Sequence, residues 1–493
     1  MNHLGIRLED YESIGNGFGV TNQKDVDQLL KALESGQTTG RETTNSLTAS
    51  GAPLKVEDLE GTLHSVTFDE QDIKFWKRVT KMPAYNTVVE YLRLVSPGAE
   101  RGGFVTETEL PEEEDSVYQR AAELVKFTAV TKSVSLAMEM VNTFEGVGKI
   151  IQRSVREGTL WILRKNDRAL AFGNANVIPQ EYNGLYRQHI NGFTTLNDWH
   201  NSDNVVDMRD HRLSETGIED AALGIRKNYG FGNLLMTSPV VVSDFVKNFH
   251  ESKLIQPNTV QVSAGEMGQK VTTFNSQFGR IELDDDIFLA ENPPRRTGDV
   301  ATFSKAPANI VPVAVAAVAD VAGSRFGAAF DGDYFVGVAA INRYGESQVT
   351  ALQAGLLTVA ATESIACQFT AGGGAYAPTG YVIYRSKLNP TTTLANTDLY
   401  PVFMVSTAEL AAGYDGGGAG IVWDRNRFIP GTEKAILIQN DSQVYSFKQL
   451  APLMKLDLAL LAQARRFVVM LYGTPVLYTP KKMTVVINIG KQV

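Results

Sequence analysis

The spacing of apolar residues changes style several times along this chain, and each change predicts a different kind of element. From residue 54 the text is dense, and Phe75, Trp76 and Val79 recur at the spacing of a short helix, while residues 85–94 alternate as a strand does. A polar excursion follows over 96–117. It opens with Pro97, Gly98, Gly102 and Gly103, then carries the six carboxylates Glu107, Glu109, Glu112, Glu113, Glu114 and Asp115. Residues 121–136 return as an extended, β-branched arm. Together, 85–136 reads as a long two-stranded hairpin leaving the body, which needs a surface to lie on because an isolated hairpin is marginal in water.

The strongest helical pattern covers 144–170, with Val147, Ile151, Val155, Gly158 and Ile162 on one face and Lys149, Arg153, Arg156, Arg164 and Arg168 on another. At about 1.5 Å per residue such a helix reaches nearly 40 Å. A loop-rich stretch to about 212 precedes a helix opened by the capping pattern Thr216-x-x-Glu219 and closing near Gly230. Leu234-Leu235-Met236 then reads as a buried strand, and Ser238-Pro239 opens another helix. From about 307 to 423 the chain becomes rich in Ala, Val, Thr and Gly, with short strands at 333–341, 365–370 and 380–385. Mixed text resumes after 432 with AILIQN, a helix-like LDLALLAQARR and the strands RRFVVMLYGTPVLYTP and MTVVINI. The fold class is α+β, with an all-β domain inserted near the C-terminal end. Residues 1–53 read as an irregular arm around one short helix at about 25–34.

Composition narrows the function. With 493 residues the chain holds several domains, and 43% hydrophobic with 20% charged residues is ordinary globular usage. The longest nearly uncharged run, 310–319, is half of what a membrane span needs, and the opening residues lack the pattern of a secretory signal. A single cysteine, Cys367, excludes an internal disulfide framework and fits synthesis in a reducing cytoplasm. A net charge of −9 argues against a protein whose main task is gripping nucleic acid.

No catalytic motif survives inspection. Gly146-Val147-Gly148-Lys149 has Thr143 where a phosphate loop needs an earlier glycine and Ile150 where it needs Ser or Thr. The glycines of 15–19 follow no strand, so they read as arm. His189, His200 and His211 lie near Asp203, Asp207 and Asp210 without metal-ligand spacing and are expected to be solvated loop residues. Asp284-Asp285-Asp286 reads as like charges at a turn or subunit edge rather than a Ca²⁺ site. No enzyme, cofactor or metal is expected.

The segment LKVEDLEGTLHSVTFDEQDIKFWKRVTKMPAYNTVVEY, and the order of elements after it, resembles the major capsid proteins of tailed bacteriophages, whose fold is called Hong Kong 97-like. The resemblance implies an N-terminal arm (1–53), a peripheral-domain part (54–171) with the extended E-loop at about 85–136 and the spine helix at about 144–170, an axial domain (172–306), the insert (307–423) and a return through both domains (424–493). It places the final strands in the peripheral domain. The insert is similar to immunoglobulin-like or fibronectin type III sandwiches: YFVGVAAINRYGES resembles a strand and turn that fibronectin modules carry late, here standing early, and GYVIYRS suits an edge of such a sheet. No isopeptide-crosslinking set is evident, and none is predicted.

The implied function is self-assembly, through hexamers and pentamers, into an icosahedral head shell around double-stranded DNA. The shell would be built in the bacterial cytoplasm, with a portal and scaffold, decoration or head-auxiliary proteins as partners and DNA touched only non-specifically. The acidic hairpin tip is either a solvated loop or meets Arg153, Arg156, Arg164 or Lys165 of an adjacent subunit, which would set register more than affinity. Other readings are a tail, baseplate or surface-binding module whose β domain binds glycan, a virion-associated hydrolase, and a bacterial nanocompartment.

Overall fold

A computed structural model describes residues 67–98, 104–108, 110, 113–140, 150–252, 271–290, 293–299, 304–459 and 463–491. The chain divides into two units, 1–65 with 143–148 and 66–142 with 149–493, and all described residues belong to the second. The expected helix at 25–34 and the glycines of 15–19 and 146–148 lie outside the described residues.

Two sheets and one long helix make the frame. In the four-stranded sheet, Lys81–Pro83 runs parallel to Tyr445–Asp457, followed by antiparallel Ala464–Leu477 and Lys126–Ser135. The helix Ile150–Phe172 lies across it, burying Gly158, Ile162, Leu170 and Ala171 as its periodicity predicts. Gly158 marks a close approach. A Cβ there would stand 3.3 Å from Val469 Cγ2 and 3.4 Å from Val130 Cγ1.

The six-stranded sheet has the order Val205–Asp207, Met483–Ile489, Glu433–Ile438, Leu234–Thr237, Gly279–Asp285 and Thr273–Ser276. Its central strands read as unbroken apolar runs because both faces are covered. Leu234, Met236, Ile436, Val485 and Ile487 join one core with the long helix and the four-stranded sheet. Leu235, Leu437, Val486 and Ile489 join another with Ile218, Ala221, Ala222 and Ile225 of the helix Glu215–Lys227.

Several expectations are corrected. That helix is capped by Ser214, whose side chain accepts from Gly217 N, and not by Thr216, which lies two residues further in. The LDLALLAQARR stretch supplies the end of one strand and the start of the next, because its residues extend the ladder between Tyr445–Asp457 and Ala464–Leu477. MTVVINI is, as expected, a strand: Met483–Ile489 lies in the six-stranded sheet, where its two-sided burial suits a continuous apolar run.

Between 311 and 424 all named strands pair among themselves. One sheet orders Ile421–Asp424, Glu363–Thr370 and Val311–Ala319; another orders Gly345–Glu346, Val336–Asn342, Gly380–Arg385 and Tyr400–Ser406. Ile365, Cys367, Phe369 and Val422 of the first pack against Val336, Val338, Tyr381 and Ile383 of the second in one core. Gly380–Arg385 is fully buried and paired on both sides, so it is an interior strand rather than the expected edge.

Candidate subunit-contact surfaces and the joints behind them

The hairpin is real but shorter than 85–136. Val88–Ser96 pairs with Val117–Leu124, whereas Lys126–Ser135, which was expected to belong to the return arm, is a strand of the four-stranded sheet. The division falls at Val125, which is buried and whose N–H donates to the Thr87 carbonyl at 2.8 Å. Opposed residues of an antiparallel pair share a face, so Val88, Leu92, Leu94, Tyr118 and Leu124 stand on one side of the hairpin as its large apolar residues, with Ala122 and the Glu90–Arg120 ion pair among them. All five are exposed, Leu92 to 72%. On the other side Tyr91 packs edge-on against Tyr478, and Arg93 donates to the Leu477 carbonyl at 2.8 Å. The base is tethered and the blade is bare.

At the tip Phe104 is 102% exposed and Leu110 90%, and Glu107, Glu113, Glu114 and Asp115 are exposed beside them. Glu109 and Glu112 lie outside the described residues. The candidate basic partners all stand on the outer side of the long helix, each with a contact inside its own subunit. Arg153 pairs with Glu157 at 3.0 Å and Arg156 with Asp69 at 3.8 Å; Arg164 stacks over Phe68 and Phe288, and Lys165 lies over Trp161. These exposed pairs hold the surface weakly.

Behind this surface lie two joints that the sequence did not announce. In the first, Asp286 accepts from the N–H groups of Lys74 at 3.1 Å, Phe75 at 3.0 Å and Phe288 at 2.9 Å. Beside it Asp167, from the long helix, accepts from Trp76 N at 2.6 Å. Both carboxyls are fully buried. Burial first, and the neighbouring Asp286 second, push the Asp167 carboxyl up to about 9, so Asp167 keeps its proton at neutral pH. Asp284 and Asp285 remain at the surface, salt-bridged to Arg78 and Lys74. The Asp triad is therefore split: two rim charges, and one buried cap that ties residues 74–75 to the six-stranded sheet.

The second joint is the segment Trp423-Asp424-Arg425-Asn426-Arg427-Phe428. Buried Arg385 pairs with Asp424 at 2.6 Å, donates to the Phe428 carbonyl at 3.2 Å and bonds Asn426. Arg425 pairs with Asp320 at 2.6 Å, and Arg427 with Asp415 at 2.7 Å. Arg427 also reaches Asn197 at 3.3 Å, and Asn488 of the last strand donates to the Arg427 carbonyl at 2.8 Å. The network thus crosses from the β region into the frame. The density of charge inside a strand-like text was its only visible signal.

His189 and His200 are buried, which corrects their reading as solvated loop residues. His189 Nδ1 accepts from Trp199 Nε1 at 2.9 Å, and burial lowers its pKa to about 3. His200 Nε2 stands 3.3 Å from Asp207, and burial lowers its pKa too. A short helix at each position, Leu185–Asn191 and Leu196–His200, turns them inward. His211 is exposed, as expected. Among the described residues no group of three His, Cys, Asp or Glu could hold a metal, and no helix is long and apolar enough to cross a membrane.

No family model matches the chain. Among solved structures, the capsid of an empty GTA particle covers 90% of this chain and 99% of its own at 8% identity and a TM-score of 0.45. The Gordonia phage Cozz structure covers 92% and 97% at 10% identity and 0.42. The holo-SrpI encapsulin complex of Synechococcus elongatus PCC 7942 covers 89% and 97% at 7% and 0.38. Sequence relatives reach further in identity. The major capsid protein of Staphylococcus phage S25-3 is 24% identical over 491 residues, spanning 95% of this chain and 96% of the relative. That of Staphylococcus phage K is 24% identical over 492 residues, with the same coverage. Along nearly its whole length, then, this chain is similar to the major capsid proteins of staphylococcal phages.

Proposed function

We propose that this chain is the major capsid protein of a tailed phage, which assembles into the icosahedral shell enclosing double-stranded DNA. The observation that carries the reading is the end-to-end similarity to phage major capsid proteins, with 96% of those relatives spanned. The bare hairpin supports it physically. A face that exposes Val88, Leu92, Leu94, Tyr118 and Leu124, with the Glu90–Arg120 ion pair as its charged element, leaves much apolar surface in water unless a neighbour covers it. Each subunit then gains many modest contacts, and closed symmetry multiplies them. The role is structural. Hexamers and pentamers are the expected assemblies, the virion shell is the expected location, and a portal, with scaffold or decoration proteins, completes the expected partners.

The region of about 307–423 is, in this reading, an immunoglobulin- or fibronectin-like sandwich carried on the outer surface, and its strand pairings support a permuted order. Such folds centre one sheet on strand B, flanked by A and E, and the other on strand F, flanked by C and G. Here Glu363–Thr370 stands between Val311–Ala319 and Ile421–Asp424, and Val336–Asn342 stands between Gly380–Arg385 and Gly345–Glu346. Taking them as B and F gives the chain order E, F, G, B, C, A. That order accounts for a late fibronectin phrase appearing early.

Sedimentation velocity and light scattering of the purified chain, alone and with its scaffold partner, test the assignment. Particles of many megadaltons with a narrow size distribution are expected. A distribution confined to monomers, trimers or small rings in both samples would favour a tail or surface-binding component instead.

A further inference from the structure

We propose that one loop end of the β region binds an acidic glycan, with Tyr376 as the ring on which a sugar lies and Lys305 and Arg343 as the cations that meet its carboxylates. The inference goes beyond the capsid reading and rests on it only for the many copies that a shell displays. Three chain segments, 304–310, 342–348 and 371–379, meet at this end. Asn342 Nδ2 donates to the Lys305 carbonyl at 3.0 Å, Asn309 Nδ2 to Gln348 Oε1 at 3.0 Å, and the Thr379 N–H to the Ile341 carbonyl at 2.9 Å. The loop 371–379 has no charged side chain, and its glycines set it down on the first segment. A Cβ at Gly372 would collide with the Asn309 carbonyl, and one at Gly374 would stand 2.8 Å from Ala308 Cβ. Tyr376 is therefore presented from a pinned loop, which leaves little ordering for a ligand to impose.

Charge and ring geometry define the ligand. The whole chain carries a net charge of −9, yet the only carboxylate in these three segments, Glu346, is already held by Arg295 at 3.0 Å and by the Tyr384 hydroxyl at 2.7 Å. Lys305 Nζ and the Arg343 guanidinium stand 5.4 and 4.6 Å from the centre of the same Tyr344 ring. The ring holds both cations in place without neutralising them, and among the described residues neither has a carboxylate partner. Tyr376, 39% exposed, meets Tyr344 edge to face at 6.1 Å and 66°. Two rings so inclined leave no parallel slot for a flat base. A sugar needs only one ring face, because its C–H groups carry the partial positive charge that the face attracts. The Asn309 and Gln348 amides of the same loop end supply partners for its hydroxyls. Such a contact is weak singly, and repetition over a shell turns it into attachment.

The test passes assembled shells of the full chain over beads bearing polygalacturonate, with dextran and single-stranded DNA beads alongside. Wild-type shells are expected to bind polygalacturonate, to elute with salt and to pass dextran. Binding is expected to fall about tenfold or more in Tyr376→Ala and, separately, in Lys305→Gln combined with Arg343→Gln. Lys387→Gln, which removes an exposed cation from another part of the β region, is expected to change nothing. Shells that form normally but ignore polygalacturonate, or bind it equally in every variant, would overturn the glycan surface while leaving the capsid function standing. Single-stranded DNA held as tightly as polygalacturonate would overturn it too. A wild type that forms no shell would overturn the capsid reading, and retardation of the unassembled chain against its variants on the same beads would then decide the surface by itself.

Discussion

Asp167 and Asp286 meet in a space with no solvent, and three consecutive backbone N–H groups at 74–76 converge on them. Because the folded Asp167 pKa is raised to about 9, above an unfolded value of about 4, the folded chain binds the extra proton between those limits. Its contribution is fully present below about pH 4 and is lost as pH rises towards 9. Asp167→Asn keeps a carbonyl for Trp76 N and offers an amide to Asp286. Thermal unfolding of wild type and variant across pH 5 to 9 is therefore expected to diverge, the variant gaining relative stability as pH rises. A constant difference would mean that Asp167 is not held protonated in the folded chain. A second residue-scale prediction concerns Arg385, buried with Asp424. Arg385→Met leaves that carboxylate unpaired, and a loss of about 3–5 kcal/mol is expected in denaturant unfolding. Neither pair was legible beforehand. Three aspartates in a row looked like surface charge, and nothing in the local pattern of Asp284-Asp285-Asp286 says that the third turns inward to cap residues from elsewhere.

Elements whose burial follows a strict period were readable. The long helix shows its apolar stripe, and Leu234–Thr237 and Met483–Ile489 show the unbroken runs that two-sided burial demands. Gly158 tests the helix packing. Gly158→Leu forces atoms into Val469 and Val130, and a loss of about 1–3 kcal/mol is expected from overpacking, with the far side of the helix unaffected by a control Gln152→Ala. Boundaries were harder. The return arm of the hairpin reads as one extended stretch, yet its two halves pair with different partners, because pairing is decided by sheets assembled from distant segments. Arg93 joins the hairpin to the Leu477 carbonyl. Limited proteolysis of Arg93→Ala is expected to cut faster within 99–117 than wild type does, while unchanged cutting would show that Tyr91 on Tyr478 suffices.

At the scale of the molecule, the β region is not a loosely hung bead. One outer face, with Ala339, Ile341, Val382, Tyr384 and Leu399, packs on Val177 and Ile178 of the frame. The segment 424–427 makes a second seam, through Arg427 to Asn197 and through the Arg427 carbonyl to Asn488. The composition change near 307 revealed that a separate β text begins there, but its seating depends on contacts between residues some two hundred positions apart, such as Arg427 with Asn197. The overall function was legible through the opening segment and the order of elements, and the contacts between copies were not, since the tip carboxylates carry no mark of what they face. The bare hairpin remains the feature that a shell explains and a monomer does not. Negative-stain electron microscopy of the purified chain, alone and with any scaffold partner, therefore tests the central claim most directly. Closed polyhedral particles of uniform diameter are predicted; small rings or dispersed monomers alone, with the partner present, would contradict it.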